Sequence, residues 1–351
     1  MRREQIVDIC RWVLGGVFTF SGIVKCVDPV GTSVFVEKYL ATFSLDLFLP
    51  LALPIAIVLS VVEFSLGQLL LCGKPHRITA VVIIVIMSLF TVVTLLNATI
   101  LPIGDCGCFG DAVRLTPLET LVKNIILLPL SVLMFVGARR GRFDYLGAAT
   151  AVAISLGVCL YSLRYQPIID FMPYDRDTNL REEVAKQRAE LESSTINVLV
   201  FRDKTTSEKV EFDASNIDCW SDSNLEYIDS RSEVADEESY PLAELMVTNH
   251  AGDDVTLELL NSPGRVAWIT IYDAKALERN FDAVKRLLGS GKYDCYVVVT
   301  SLDTQVLTER LAVECYMVDA MTLRTINRSK VGVMVLDNGV VADKCNIRDI
   351  D

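Results

Sequence analysis

The chain has 351 residues, of which 51% are apolar and 22% charged, and a formal net charge of −12. The charge is uneven: up to Arg164 there are 13 Lys and Arg against 10 Asp and Glu, and beyond it 20 against 35. The acidic half scatters its basic residues and so lacks the clustered cations that phosphate tracking requires, which excludes nucleic acid as a partner.

At the amino end, Arg2-Arg3 precedes an apolar run with no small-x-small cleavage site, which predicts a retained helix, not a cleaved signal. Five segments satisfy the roughly 20 apolar residues needed to cross a ~30 Å hydrocarbon core. They are 5–26, 48–72, 78–101, 118–137 and 145–163, the last rich in Ala and Gly. One such run fits the core of a soluble domain; four in succession predict a polytopic protein with membrane lipid as its surroundings. Basic flanks at Arg2-Arg3, at Lys74 and Arg77, and at Arg139, Arg140 and Arg142 predict those ends to be cytoplasmic. The connections 27–47 and 102–117, and everything after the fifth span, are then extracytoplasmic.

Ionisable residues inside a bilayer are costly and face a bundle interior. Arg11 in span one and Glu63 in span two lie roughly 9 and 14 Å from their cytoplasmic ends at 1.5 Å per residue. These depths predict an Arg11–Glu63 pair, assisted by Asp8. At the outer end of span one, Phe20-Ser21-Gly22 and Lys25 approach the depth of the second outer connection. Small Ser21 and Gly22 suit close helix packing, Lys25 suits snorkelling to headgroups, and Cys26 is a candidate relay thiol or an inert boundary cysteine.

Between spans three and four the sequence reads Gly104-Asp105-Cys106-Gly107-Cys108-Phe109-Gly110-Asp111. Glycines beside both thiols permit the tight backbone that a ring across one residue needs, and a disulfide so closed departs from relaxed geometry and is readily reduced. A redox pair is therefore the leading reading of Cys106 and Cys108. A structural bridge stands against it, although so short a loop stabilises little. So does a metal site, although the two histidines, His76 and His250, lie far from the loop in the chain. Thr116-Pro117-Leu118-Glu119 has the pattern of a capping box with proline at the first helical position, so span four begins there.

From Arg164 to Glu192 the sequence reads as a linker with a short charged helix, and β-rich runs begin at 196–201, with 213–240 read as loop. Then come a strand at 266–272, a helix at 274–288, a strand at 295–300, a helix at 303–311, a strand at 315–318 and a short helix at 322–327. A hairpin, 331–336 and 340–344, turns on Asp337-Asn338-Gly339, for which Asn-Gly is a strong signal. Cys295 and Cys315 open presumed neighbouring strands, free or bridged; the sequence assigns no partner to Cys219 or Cys345.

Arg11 with Leu14-Gly15, Phe18 to Gly22, Lys25, Asp28-Pro29, Val62-Glu63-Phe64, Gly67 and the stretch Asp105 to Asp111 together resemble the DoxX-like/MauE (methylamine utilisation protein MauE) membrane family. The match is closest to members from Bacteroidetes with a carboxy-terminal extension. The late β-α-β alternation closed by a hairpin resembles a thioredoxin-like fold. It has Asp273-Ala274-Lys275-Ala276 where that family carries Cys-x-x-Cys, and Val331 where it carries a cis-proline. The resemblance implies a four-helix membrane domain at 1–142, a fifth transmembrane helix at 143–164, a linker at 165–194 and an α/β thioredoxin-like domain lacking Cys-x-x-Cys at 195–351. It also implies disulfide chemistry at the bacterial inner membrane. Cys106 and Cys108 would exchange electrons with a periplasmic protein dithiol and pass them to quinone or another acceptor, with Arg11, Ser21, Lys25, Cys26, Glu63, Asp105 and Asp111 in support. The alternatives are a non-catalytic scaffold or assembly factor that presents the redox-silent domain, and a solute or quinone carrier built around Glu63.

Overall fold

The computed structural model describes residues 3–73, 75–100, 107–113, 115–138, 143–204, 209–213, 224–234 and 240–350. Asp105, Cys106 and Cys219 lie outside them.

Five helices are long and apolar enough to cross a membrane: Glu4–Val27, Asp46–Cys72, Arg77–Thr99, Pro117–Gly137 and Tyr145–Tyr165. The chain is a multi-pass membrane protein. Within these spans are α1 (Arg3–Val27), α3 (Ala52–Cys72, entered through a 3₁₀ turn at Asp46–Leu51), α4 (Arg77–Thr99), α5 (Pro117–Gly137) and α6 (Tyr145–Tyr165). Their outer faces expose Trp12, Val58, Val85, Leu89, Ile125 and Ile126, as side chains bathed in lipid would be. Inside, Leu14, Phe18, Leu70, Ile83, Met87 and Met134 form the bundle core.

The α1–α3 contact is set by two glycines. A Cβ on Gly22 would lie 2.4 Å from the Phe64 backbone nitrogen, and one on Gly67 would lie 2.4 Å from that of Thr19. Where lipid is as apolar as the side chains, such close backbone approach is what holds helices together. Helix α4 packs on α5, and α6 on α3. The predicted capping box opens α5: the Glu119 N–H donates to Thr116 Oγ1 at 3.3 Å and the Thr116 N–H to Glu119 Oε2 at 3.0 Å.

The connection 27–47 is itself largely helical. Pro29 occupies the first position of α2 (Pro29–Thr42) and the Asp28 carboxylate accepts from the Gly31 N–H at 2.8 Å. The short strand β1 (Cys108–Asp111) packs between α1 and α2.

Beyond the spans, α7 (Leu180–Ser194) leads into an antiparallel sheet of β2 (Thr195–Asp203), β3 (Lys209–Asp213) and β4 (Leu225–Val234), in the order β3-β2-β4. Strand β4 thus occupies much of a stretch expected to be loop. A second sheet follows, built from β5 (Arg265–Ile271), β6 (Cys295–Thr300), β7 (Cys315–Met317), β8 (Val331–Asp337) and β9 (Val340–Asn346) in the order β7-β6-β5-β8-β9. Strands β5, β6 and β7 are parallel, and β8 and β9 run antiparallel. This is the predicted β-α-β alternation closed by a hairpin, and the hairpin turns with positive φ at Asn338 and Gly339.

Both faces of this sheet are covered, so β5 is apolar almost throughout. One side carries α9 (Ala274–Leu288) and α10 (Thr304–Leu311), which contribute Leu277, Val284, Leu287 and Leu307. The other carries α7, α8 (Thr256–Leu260) and α11 (Ala320–Ile326) around Trp268. Leu180 and Val184 of α7 are fully buried here, so the segment read as linker and charged helix supplies core contacts.

The sheet domain is fastened to the bundle through buried charge. Arg328 Nε and Nη2 donate to the Asp28 carboxylate at 2.6–3.1 Å, and Nη1 donates to the carbonyls of Arg324 and Thr325 at 2.6 and 2.7 Å. Arg324 pairs with Glu37 of α2 at 2.7 Å, and Lys344 pairs with Asp170. Gln166, with φ of 106° at the end of α6, donates to Asn327 and Ser329, both at 2.7 Å, and accepts from the Arg328 N–H.

Removing one member of a buried pair strands the other, which costs about 3–5 kcal/mol. Arg328→Ala is expected to loosen the domain and expose 165–180 to protease while leaving the helical content intact. Unchanged cleavage in limited proteolysis with circular dichroism would contradict this.

Candidate functional site

Lys25 and Ser21 are four residues apart on α1 and therefore share one face. Across the close α1–α3 contact they meet Glu63, midway along α3. Lys25 Nζ donates to Glu63 Oε1 and Oε2 at 2.7 and 2.8 Å, and Ser21 Oγ lies 2.6 Å from Oε2. All three are buried, Glu63 at 1% exposure and Lys25 at 2%. An ion pair in so apolar a setting persists because each charge is hydrogen-bonded as well as neutralised. The Phe90 ring adds a face 5.6 Å from Lys25 Nζ.

Ser21 Oγ also lies 2.6 Å from the Cys108 carbonyl oxygen. The backbone of the second loop cysteine is thereby tied to the ion pair. The turn that delivers it needs positive φ at Gly107 and Gly110, 58° and 54°, and the Gly110 N–H donates to the Gly107 carbonyl at 3.1 Å. Phe109 packs edge-on against Phe20 at 5.4 Å and under Lys123 Nζ at 4.4 Å. A small cavity of about 20 Å³, lined by Ser21, Glu63, Cys108, Lys123 and Asn124 among others, lies beside this junction. That volume admits about one water among polar groups.

The Ser21 hydroxyl has one proton and two acceptors. It donates to Glu63 or to the Cys108 carbonyl, both at 2.6 Å. Lys25, Glu63, Ser21 and the Cys108 carbonyl form a hydrogen-bonded chain from the bundle interior to the cysteine loop.

The expected Arg11–Glu63 pair is not formed. Arg11 Nη1 donates to the carbonyls of Leu70, Leu71 and Gly73 at 2.7, 3.3 and 2.8 Å, and Nε lies 3.5 Å from Asp8. It caps the end of α3, where the last turn leaves carbonyls without helical partners. Glu63 sits seven residues up α3 from Leu70, about 10 Å away at 1.5 Å per residue. The Asp8 contact is as expected. Lys25 points into the bundle and not to headgroups, because a buried carboxylate lies within its reach.

Cys26 is 2% exposed and neighbours Cys159 of α6, which is fully buried; both are free cysteines. No sequence spacing joins them, since they lie on the first and fifth spans. Asp111 closes β1. In the sheet domain Cys295 and Cys315 are free and out of register, Cys295 facing Val266 and Cys315 facing Val298. No cluster of three or more His, Cys, Asp or Glu suited to a metal ion occurs among the described residues.

Asp273, which follows β5, caps α9 by accepting from the Ala276 N–H at 2.7 Å and pairs with Lys330 at 2.7 Å. Its carboxyl is held below the usual range, chiefly by the Lys330 hydrogen bond.

Residues 3–137 match the family described as Methylamine utilisation protein MauE. The chain is also 34% identical to "Protein TlpB" of Flavobacterium psychrophilum over 79 residues, which is 21% of this chain and 21% of that protein. It thus spans about a fifth of the curated relative it matches. No solved structure matches.

Glu63→Ala strands the Lys25 ammonium and is expected to cost about 3–5 kcal/mol, and Lys25→Met with Glu63→Leu recovers most of it. A double-mutant cycle between Arg11 and Glu63 is expected to show coupling under about 0.5 kcal/mol. Thermal unfolding in detergent measures both, and a large Arg11–Glu63 coupling would refute the assignment.

Burial, aided by the charges of Asp343 and Asp349, pushes the Cys345 thiol up to about 12, and burial raises Cys315 also. Both thiols therefore stay protonated until the pH approaches those raised values, and neither is expected to react with iodoacetamide at pH 8 in the folded protein. Mass spectrometry with and without denaturant tests this; rapid labelling of the native state is the contrary result.

Proposed function

We propose that this chain, whose membrane half matches the MauE family over residues 3–137, is a redox protein of the bacterial inner membrane with the cysteine loop and the sheet domain on the periplasmic side. The basic flanks of the spans support the orientation, and five crossings carry the sheet domain to the side opposite the amino terminus. The observation that carries the reading is the tie from Cys108 through Ser21 to Glu63 and Lys25. A costly buried ion pair is placed where it meets the backbone of the loop that bears both cysteines.

In this reading Cys106 and Cys108 form a disulfide. A client thiolate attacks one sulfur, giving a mixed disulfide, and the other loop cysteine leaves as a thiolate and takes up a proton. The client's second thiolate then displaces the first loop sulfur, so the client is oxidised to a disulfide and the loop reduced to two thiols. Two electrons and two protons must then leave the loop for quinone or another acceptor, with Ser21 and Glu63 as the proton route. The contiguous Cys26 and Cys159 thiols are placed to relay the electrons by closing to a disulfide and reopening.

The sheet domain supplies client recognition. It has an aspartate in place of the first thiol of a thioredoxin-like motif, and Lys330 holds that aspartate. That same substitution favours a second reading, a non-catalytic scaffold or assembly factor in which the loop pair only shapes a turn.

Cys106→Ser and Cys108→Ser singly are expected to trap a mixed disulfide with a periplasmic protein, visible on non-reducing gels and absent from the double variant. Cys159→Ser is expected to let the loop be reduced once but not reoxidised. Full complementation by the Cys106→Ser/Cys108→Ser double variant would sink the catalytic reading. A chain truncated after Arg164 that still oxidises a small dithiol would exclude the scaffold.

A further inference from the structure

A cavity of about 710 Å³ lies outside the cysteine site, between the bundle and the sheet domain. Its two sides differ in chemistry. The membrane half lines it with Val30 of α2, Leu49 and Pro50 of the 3₁₀ turn, Leu53 of α3 and Leu163 of α6. The sheet domain lines it with five cations, Arg279, Arg324, Arg328, Lys330 and Arg348, whereas the carboxylates in the lining are Glu37 and Asp273.

Three of the cations are committed: Arg324 to Glu37, Arg328 to Asp28 and Lys330 to Asp273. Arg279 and Arg348 are different. Arg279 Nε donates to the Lys275 carbonyl at 3.2 Å and Arg348 Nε to Asn280 Oδ1 at 2.6 Å, and neither pairs with a carboxylate among the described residues. Both are exposed, so each guanidinium edge is open to a ligand. The cavity opens where the spans end. Leu47, Phe48 and Leu51 are exposed beside it, and Tyr161 and Tyr165 of α6 are half-exposed at the same level, as residues at a bilayer boundary are.

We propose that this cavity binds an anionic phospholipid, with the phosphate held by Arg279 and Arg348 and an acyl chain lying along the leucine side. Arginine suits a phosphate because its planar fork donates two parallel hydrogen bonds. The apolar wall on the bundle side argues for an amphiphile over a free anion, and the position at the mouth of the spans gives such a lipid a lateral route in. A lipid seated there bridges α2, α3 and α6 to α9 and the last strand, and so strengthens the docking that Arg328 and Arg324 provide. The site holds none of the cysteines and stands or falls apart from the redox reading.

The full chain, purified in a zwitterionic detergent, is titrated with phosphatidylglycerol, with phosphatidylcholine and with inorganic phosphate, read by native mass spectrometry and by thermal unfolding. Phosphatidylglycerol is expected to remain bound and to raise the unfolding midpoint, and the other two are expected to do neither. Arg279→Ala/Arg348→Ala removes exposed side chains, so its fold should survive, and it is expected to weaken phosphatidylglycerol binding about tenfold or more. Leu53→Ser, which alters only the apolar wall, should weaken it too. Equal stabilisation by phosphatidylcholine, or full binding by the double arginine variant, would overturn the proposal. A saturable response to phosphate that the double variant abolishes would overturn it in favour of a free-anion site.

Discussion

A carboxylate at 1% exposure inside an apolar bundle must be neutralised and hydrogen-bonded or it unfolds its surroundings, and Glu63 imposes that requirement on everything near it. Its partners, Ser21 and Lys25, come from one face of α1 and reach it only because α1 and α3 approach to backbone contact at Gly22 and Gly67. Once the two helices are fixed in this register, Ser21 presents its hydroxyl at the end of the bundle, where the Cys108 carbonyl accepts it. The position of the cysteine loop thus follows from the placement of one buried charge.

The same end of the molecule carries a second and a third layer of charge. Asp28 terminates the connection from α1, caps α2 and takes the Arg328 guanidinium, so one carboxylate sets a helix start and a domain contact together. Glu37 of α2, roughly two turns further along, takes Arg324. In these two pairs the carboxylate comes from the membrane half and the cation from the acidic half, whereas Arg164 of α6 pairs with Asp349 in the opposite sense.

Much of this was legible in the sequence. Span positions follow from hydropathy to within a few residues because the lipid requirement is long and unforgiving. The capping box at Thr116 and the Asn-Gly hairpin are local chemistry, and they appear as expected. Failures arose where partners are distant in the chain. Depth counted from the basic flanks matched Arg11 to Glu63, but the glycine contact sets a register in which Arg11 meets the end of α3 at Leu70 and Gly73, and Ser21 and Lys25 meet Glu63. Cys26 and Cys159 sit on the first and fifth spans, with no periodicity to link them. Strand β4 lacks a clear strand signal because the apolar alternation of Leu225 and Tyr227 is broken at once by Ile228, and Asp229 to Glu233 is polar throughout.

The division of labour between the two halves follows from what each position holds. In the sheet domain, the spot where a thioredoxin-like fold would place a nucleophilic sulfur is occupied by a carboxylate that caps α9 and is paired with Lys330. It faces the lipid-level cavity, not the cysteine loop. A group so engaged is fixed in geometry and acceptor-only while ionised. In the bundle, by contrast, Ser21 stands between two acceptors with one proton to give, and Glu63 already draws two hydrogen bonds from Lys25. The carboxylate of the sheet domain is thus committed at this position, whereas in the bundle the Ser21 hydroxyl has a choice of acceptor, Glu63 or the Cys108 carbonyl.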